Sequence, residues 1–146
     1  MAETLKQEVQ LVGANLGSYS SFSWFKKQDF DYLKRKYFLL EISLYQTLNE
    51  LNTVCGKSVL PVLFFYKIDD DASERVGFIL EDLSKAYRQD VFIFSFDIDY
   101  PDEPLVPLIA SRYNFSSMPG VVMNNVTYSG LHYTGEFNAT IIRWQR

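Results

Sequence analysis

An α/β fold with a central mixed sheet is predicted by three observations. Two continuous apolar runs, "VLPVLFFY" (59–66) and "VFIFSF" (91–96), read as strands buried on both faces. Segments with helical spacing lie between and after them, so strands alternate with helices and pair in parallel through right-handed crossovers. The last two strands, "GVVM" and "VTYSG", are separated only by Asn124-Asn125, a two-residue hairpin turn that adds an antiparallel edge.

Each element follows from its residues. Ala2 to Leu16 reads as a short amphipathic helix with Leu5, Val9, Val12 and Leu16 on one side. "GSYSS" ends it. Tyr19, Phe22, Trp24 and Phe25 follow, as a clamp between helix and sheet or as a partner surface. A long helix is expected from about Gln28 to Val54. Its apolar side carries Leu33, Tyr37, Leu40, Leu44, Leu48 and Leu51, and its polar side includes Lys34, Arg35 and Glu41. Gly56 stops it. Between the two buried strands, Ser73 to Tyr87 is helical, with Val76, Ile79, Leu80 and Leu83 inward. "PDEPLVPLIASRY" is a Pro-started helix reaching Tyr113. Gly135 precedes a final helix with Phe137, Ile141, Ile142 and Trp144. The expected organisation is a helical extension over 1–57, packed on the sheet, and an α/β domain over 58–146.

Composition narrows the function classes. The chain has 146 residues, 47% of them hydrophobic, enough for the core of one domain. A net charge of −4 and no basic patch argue against nucleic acid as a partner. One cysteine, Cys55, rules out an intramolecular disulfide. With one histidine, His132, the chain lacks the ligands for a Cys/His zinc site. No apolar run approaches the ~18–20 residues of a membrane helix, and "MAETLKQEVQ" holds no apolar signal core. No cofactor is expected.

The order from Val59 is strand, helix, strand, helix, strand, strand, helix. "VLFFYKIDDDASERVGFILEDLSKAYRQDVFIFSFDID" resembles the strand, active-site turn, helix and second strand of the thioredoxin-like superfamily. "LIASRYNFSSMPGVV" resembles its second helix and the loop that holds a cis-proline, and "NNVTYSG" its following hairpin. The long helix leading directly into the sheet resembles membrane-anchored, extracytoplasmic thioredoxin-like proteins of archaea. The resemblance implies an anchor in the full-length protein and an extracytoplasmic location. It also implies that Pro119 is the cis-proline, and that Met118, Pro119, Tyr66 and Asp69 border a groove for a protein or extended peptide.

One departure stands out. Aligned without gaps, the family's C-x-x-C falls on Asp69-Asp70-Asp71-Ala72. Thiol-disulfide exchange needs a thiolate that attacks sulfur, and a carboxylate cannot form a disulfide. The expected function is therefore a redox-inactive thioredoxin-like domain that binds a peptide or protein partner. Two alternatives stay open. The single Cys55 could carry redox chemistry if its thiol is exposed and within reach of Pro119 and Asp69; most free cysteines are instead small buried residues. Asp69, Asp71, Asp97 and Asp99 leave neighbouring strand ends and could hold Ca²⁺ or Mg²⁺; carboxylates at a helix start also cap free N–H groups and complement the dipole. His132, with no evident base partner, reads as a surface or loop residue. Three sequons, at Asn114, Asn125 and Asn138, are candidate glycosylation sites or ordinary turn asparagines.

Overall fold

A computed structural model describes residue 7 and residues 27–56, 59–99 and 104–146. The expected Ala2–Leu16 helix, apart from Gln7, and the aromatic cluster at Tyr19–Phe25 lie outside the described residues. The elements are α1 (Lys27–Cys55), β1 (Leu60–Tyr66), α2 (Asp71–Ala86), β2 (Val91–Asp97), α3 (Leu105–Ser111), β3 (Gly120–Met123), β4 (Val126–Ser129) and α4 (Thr134–Gln145). The chain divides into two compact units between Glu50 and Leu51, inside α1. Among the described residues, no helix is long and apolar enough to cross a membrane.

Along α1, Phe38, Leu44 and Leu48 are buried. Lys34 and Glu41, placed on the polar side by the sequence reading, are buried too. Steps of three and four residues bring positions 34, 38, 41 and 48 onto one stripe. The apolar stem of Lys34 suits that stripe, and its ammonium sits 5.9 Å above the Phe38 ring. Gly56 ends the helix with φ +81°, a conformation that costs glycine little. The Asn52 amide then clasps the start of the sheet. Its Nδ2 donates to the Val59 carbonyl at 2.7 Å, and the Val59 N–H donates to its Oδ1 at 3.3 Å.

The sheet has the order β2-β1-β3-β4. β1 and β2 run parallel in full register from Leu60↔Val91 to Tyr66↔Asp97. β3 lies antiparallel on the other side of β1, with Phe65↔Gly120, and β4 closes a hairpin with β3. Asn124 and Asn125 make the hairpin turn, with φ of 48° and 61°. Asparagine tolerates that region better than most residues, and the turn's twist matches the strands.

β1 is central, so alternate side chains fill two layers. Leu60, Val62 and Phe64 join Val76, Leu80 and Leu83 of α2 and Phe137, Ile141 and Trp144 of α4 in one cluster. Phe65 points to the opposite face, with ring centroids 5.3 Å from Phe96 and 5.5 Å from Phe115. Gly120 is small for a packing reason. A Cβ there would sit 2.6–2.7 Å from atoms of the Phe115 ring, so the ring lies against bare backbone.

Candidate functional site

The C-terminal end of β1 runs into a tight turn and then into α2. Asp69 takes φ 59° in that turn, and Asp70 is the N-cap of α2. The Asp70 carboxylate accepts the Ser73 N–H at 3.0 Å and the Ser73 hydroxyl at 2.7 Å, all through Oδ2. The same Ser73 hydroxyl oxygen accepts the Lys67 N–H at 3.1 Å, tying strand end to helix start. The gapless alignment named Asp69 and Ala72 as the two lost thiol positions. The side chains that actually touch at i, i+3 spacing are Asp70 and Ser73. An N-cap has extended backbone and aims its side chain at the third helical residue, so the Asp70–Ser73 contact is a cap.

The aspartates hold separate local positions and do not form a shared cage. Asp70 caps. Asp71 is exposed and pairs with Arg75 at 3.1 Å. Asp97 is buried, and its Oδ1 accepts the Asp99 N–H at 3.0 Å. Among the described residues, no group of three His, Cys, Asp or Glu could hold a metal ion. The structure thus does not gather Asp69, Asp71, Asp97 and Asp99 into the cation site that the sequence raised.

Cys55 is exposed, not buried. It precedes β1, whereas the Asp69 turn follows it. Six strand steps, ~20 Å at 3.3 Å per residue, lie between Leu60 and Tyr66. Gly120 pairs with Phe65, so Pro119 lies at the far end as well. Cys55 is therefore not brought to Pro119 or Asp69.

The residues of the expected groove divide between two concavities. Tyr66 and Asp69 line a cavity of about 620 Å³ beside α2. Met118 lines a smaller one of about 320 Å³ with Ala110, Asn114 and Phe115. The Met118–Pro119 peptide bond is cis. The Pro119 carbonyl accepts the Gly130 N–H at 2.8 Å, which anchors the loop to the end of β4. Met118, one residue earlier, has no backbone hydrogen bond to any described residue. It lies in the bend that leads into β3, past the last ladder pair at Gly120. The resemblance had named Met118 as a backbone edge for an extended peptide.

His132 lies in the loop between β4 and α4, as expected, but it has partners there. Its Nδ1 lies 3.1 Å from Glu136 Oε2, its Nε2 donates to the Ser129 carbonyl at 3.1 Å, and its ring meets the Tyr128 ring edge-on at 5.1 Å. The partner sits four residues on, a spacing that places side chains together at a helix start. Glu136 Oε2 also accepts the Tyr133 N–H at 2.9 Å, which caps α4. The three sequon asparagines also have local roles. Asn114 and Asn125 are exposed at turns with φ 52° and 61°. Asn138 lies on α4, where its Oδ1 accepts the Tyr87 hydroxyl.

Asp70 and Glu136, among the described residues, sit below the usual carboxylate range. Asp70 is held down by the Ser73 hydroxyl, then by the Ser73 N–H. Glu136 is held down by the Tyr133 N–H, then by His132. Each is more acidic folded than unfolded, so its stabilisation is complete above the unfolded pKa, about 4. It is lost as pH falls through the lower, folded pKa. Asp70→Asn/Glu136→Gln keeps both caps but removes both titrations. The melting temperature of this variant is expected to fall less steeply than that of the parent between about pH 4 and pH 2. Parallel acid limbs would show that these carboxyls do not contribute.

No family model matches the sequence, and no curated protein matches it. Solved structures do resemble it. Chloroplastic thioredoxin z, whose crystal structure is described as defining a novel type-specific target recognition, superposes with a TM-score of 0.52 at 10% identity, over 66% of this chain and 87% of that one. A malarial protein superposes with a TM-score of 0.50 at 16% identity, over 60% of this chain and 99% of that one. At these identities the likeness speaks to the fold alone. Together with the β2-β1-β3-β4 mixed sheet and its flanking helices, it establishes that the chain has a thioredoxin-like fold with an added N-terminal helix.

Proposed function

We propose that this is a binding domain without dithiol chemistry, which takes an extended peptide or protein segment along the backbone edge at Met118. The observation that carries the reading is that the Met118 backbone N–H and C=O, two residues before β3, have no hydrogen bond to any described residue. An extended segment laid there would continue the sheet by strand addition, with affinity from main-chain hydrogen bonds. The adjoining cavity, lined by Met118 and Phe115, would take one of its side chains. The turn facing this end of β1 supports a non-redox role, since it carries Asp69 to Ser73 and no sulfur.

Selection from a displayed library of extended peptides tests the reading. A selected peptide is expected to perturb the amides of Ser117, Met118 and Gly120. N-methylation along it should weaken binding at every second residue, the period of a strand. Uniform tolerance of N-methylation, or turnover in an insulin-reduction assay by the unaltered protein, would overturn it.

A further inference from the structure

The larger cavity is a feature that the strand edge does not use. Its volume of about 620 Å³ lies within the ~300–1,000 Å³ of ordinary ligand sites. Phe64 and Ile93 from the sheet and Gly77 from α2 form an apolar interior. Phe78 stands at its border with 60% of its surface exposed, a large ring left in solvent. The absence of a side chain at Gly77 keeps part of this space open. A Cβ there would meet only the Phe64 ring, at 3.6 Å, in ordinary contact.

The rim has a sign. Asp69, Asp70, Glu74 and Glu81 border the cavity against one cation, Lys67. Asp70 is occupied by its cap, and Glu81 pairs with Lys85 at 3.4 Å. Asp69 and Glu74 have no side-chain hydrogen bond or ion pair to any described residue. An apolar interior beside two uncommitted carboxylates complements an apolar group that brings positive charge with it.

We propose that this cavity is a docking site for a bulky apolar side chain of a partner protein, flanked in the partner's sequence by lysine or arginine. The apolar residue enters between Phe64, Phe78 and Ile93, and the flanking cations meet Asp69 and Glu74. The site stands on the cavity and its rim, and is independent of strand addition at Met118.

Three capped five-residue peptides test it by titration of the ¹⁵N-labelled full chain. One carries Trp between lysines, one Trp between glutamates, and one Ser between lysines. The first is expected to shift the Gly77, Phe78 and Ile93 amides saturably and to bind about tenfold or more tighter than either other peptide. Asp69→Asn/Glu74→Gln should bring the two Trp peptides to similar affinity. Gly77→Leu, which fills the cavity, should abolish binding. If that variant does not fold, Phe78→Ala should weaken the first peptide by about tenfold, since it removes an exposed ring alone. Equal binding of both Trp peptides to the parent would overturn the charge assignment. Equal binding of the Ser peptide, or no shift at those amides with millimolar peptide, would overturn the site. Perturbation confined to Ser117–Gly120 would do the same while leaving the strand-edge reading intact.

Discussion

Asp70→Cys/Ser73→Cys is expected to form a disulfide across the first turn of α2. The two side chains already touch at 2.7 Å. Residues three apart at a helix start have Cβ atoms ~5–6 Å apart, close enough for a modest adjustment to disulfide geometry. After mild oxidation, thiol titration should find one reactive group, Cys55, out of three. Asp69→Cys/Ala72→Cys should keep all three, because position 69 sits in the turn before the cap with φ 59°. The reduced Asp70/Ser73 variant should melt lower than the parent, having lost its cap, and should recover on oxidation. Three free thiols in both oxidised variants would refute this register. The experiment asks whether the turn has the geometry to join two side chains through a disulfide.

Phe65→Ala is expected to cost about 3–5 kcal/mol, the usual range for removing a buried aromatic. Phe65 is wholly buried on the central strand. Its ring lies among Phe96, Phe115 and Tyr113, with centroids 5.3, 5.5 and 6.3 Å away. No single neighbour can fill the space it leaves. Against a typical total of about 5–15 kcal/mol, the loss would leave the domain marginal or unfolded. Urea denaturation read by circular dichroism gives the number. A change under about 1 kcal/mol would mean that this face of the sheet is not packed as described.

Most of the architecture was legible because it rests on local rules. The apolar runs at Leu60–Tyr66 and Val91–Asp97 both became strands; β1 is buried almost throughout, whereas Ile93 and Ser95 of β2 stay half-buried beside the larger cavity. Asn124-Asn125 declared its hairpin through the backbone region that asparagine tolerates. Gly56 marked the end of α1. What was not legible depended on neighbours distant in sequence. The burial of Lys34 and Glu41 overrides their polarity. The exposure of Cys55 follows from its place at the end of α1, ahead of β1, which composition cannot show. The site was harder still. The sequence brought Met118, Tyr66 and Asp69 into one groove, whereas the structure assigns them to two cavities. The Asp70–Ser73 contact arises from capping, which alignment by letters does not see.

The contact between Phe115 and the bare backbone of Gly120 constrains how this protein can change over evolutionary time. Neither position is free to drift alone. A side chain at 120 collides with the ring, and a smaller residue at 115 leaves a void over the strand. The two positions should therefore exchange bulk as a pair, a larger residue at 120 arriving only with a smaller one at 115. A double-mutant cycle on Gly120→Ala and Phe115→Leu should return a favourable coupling of about 1 kcal/mol or more, and strict additivity would remove the constraint. The loop before β3 then inherits its shape from a hydrogen atom, and relatives that abandon Gly120 are expected to carry that loop along a different path.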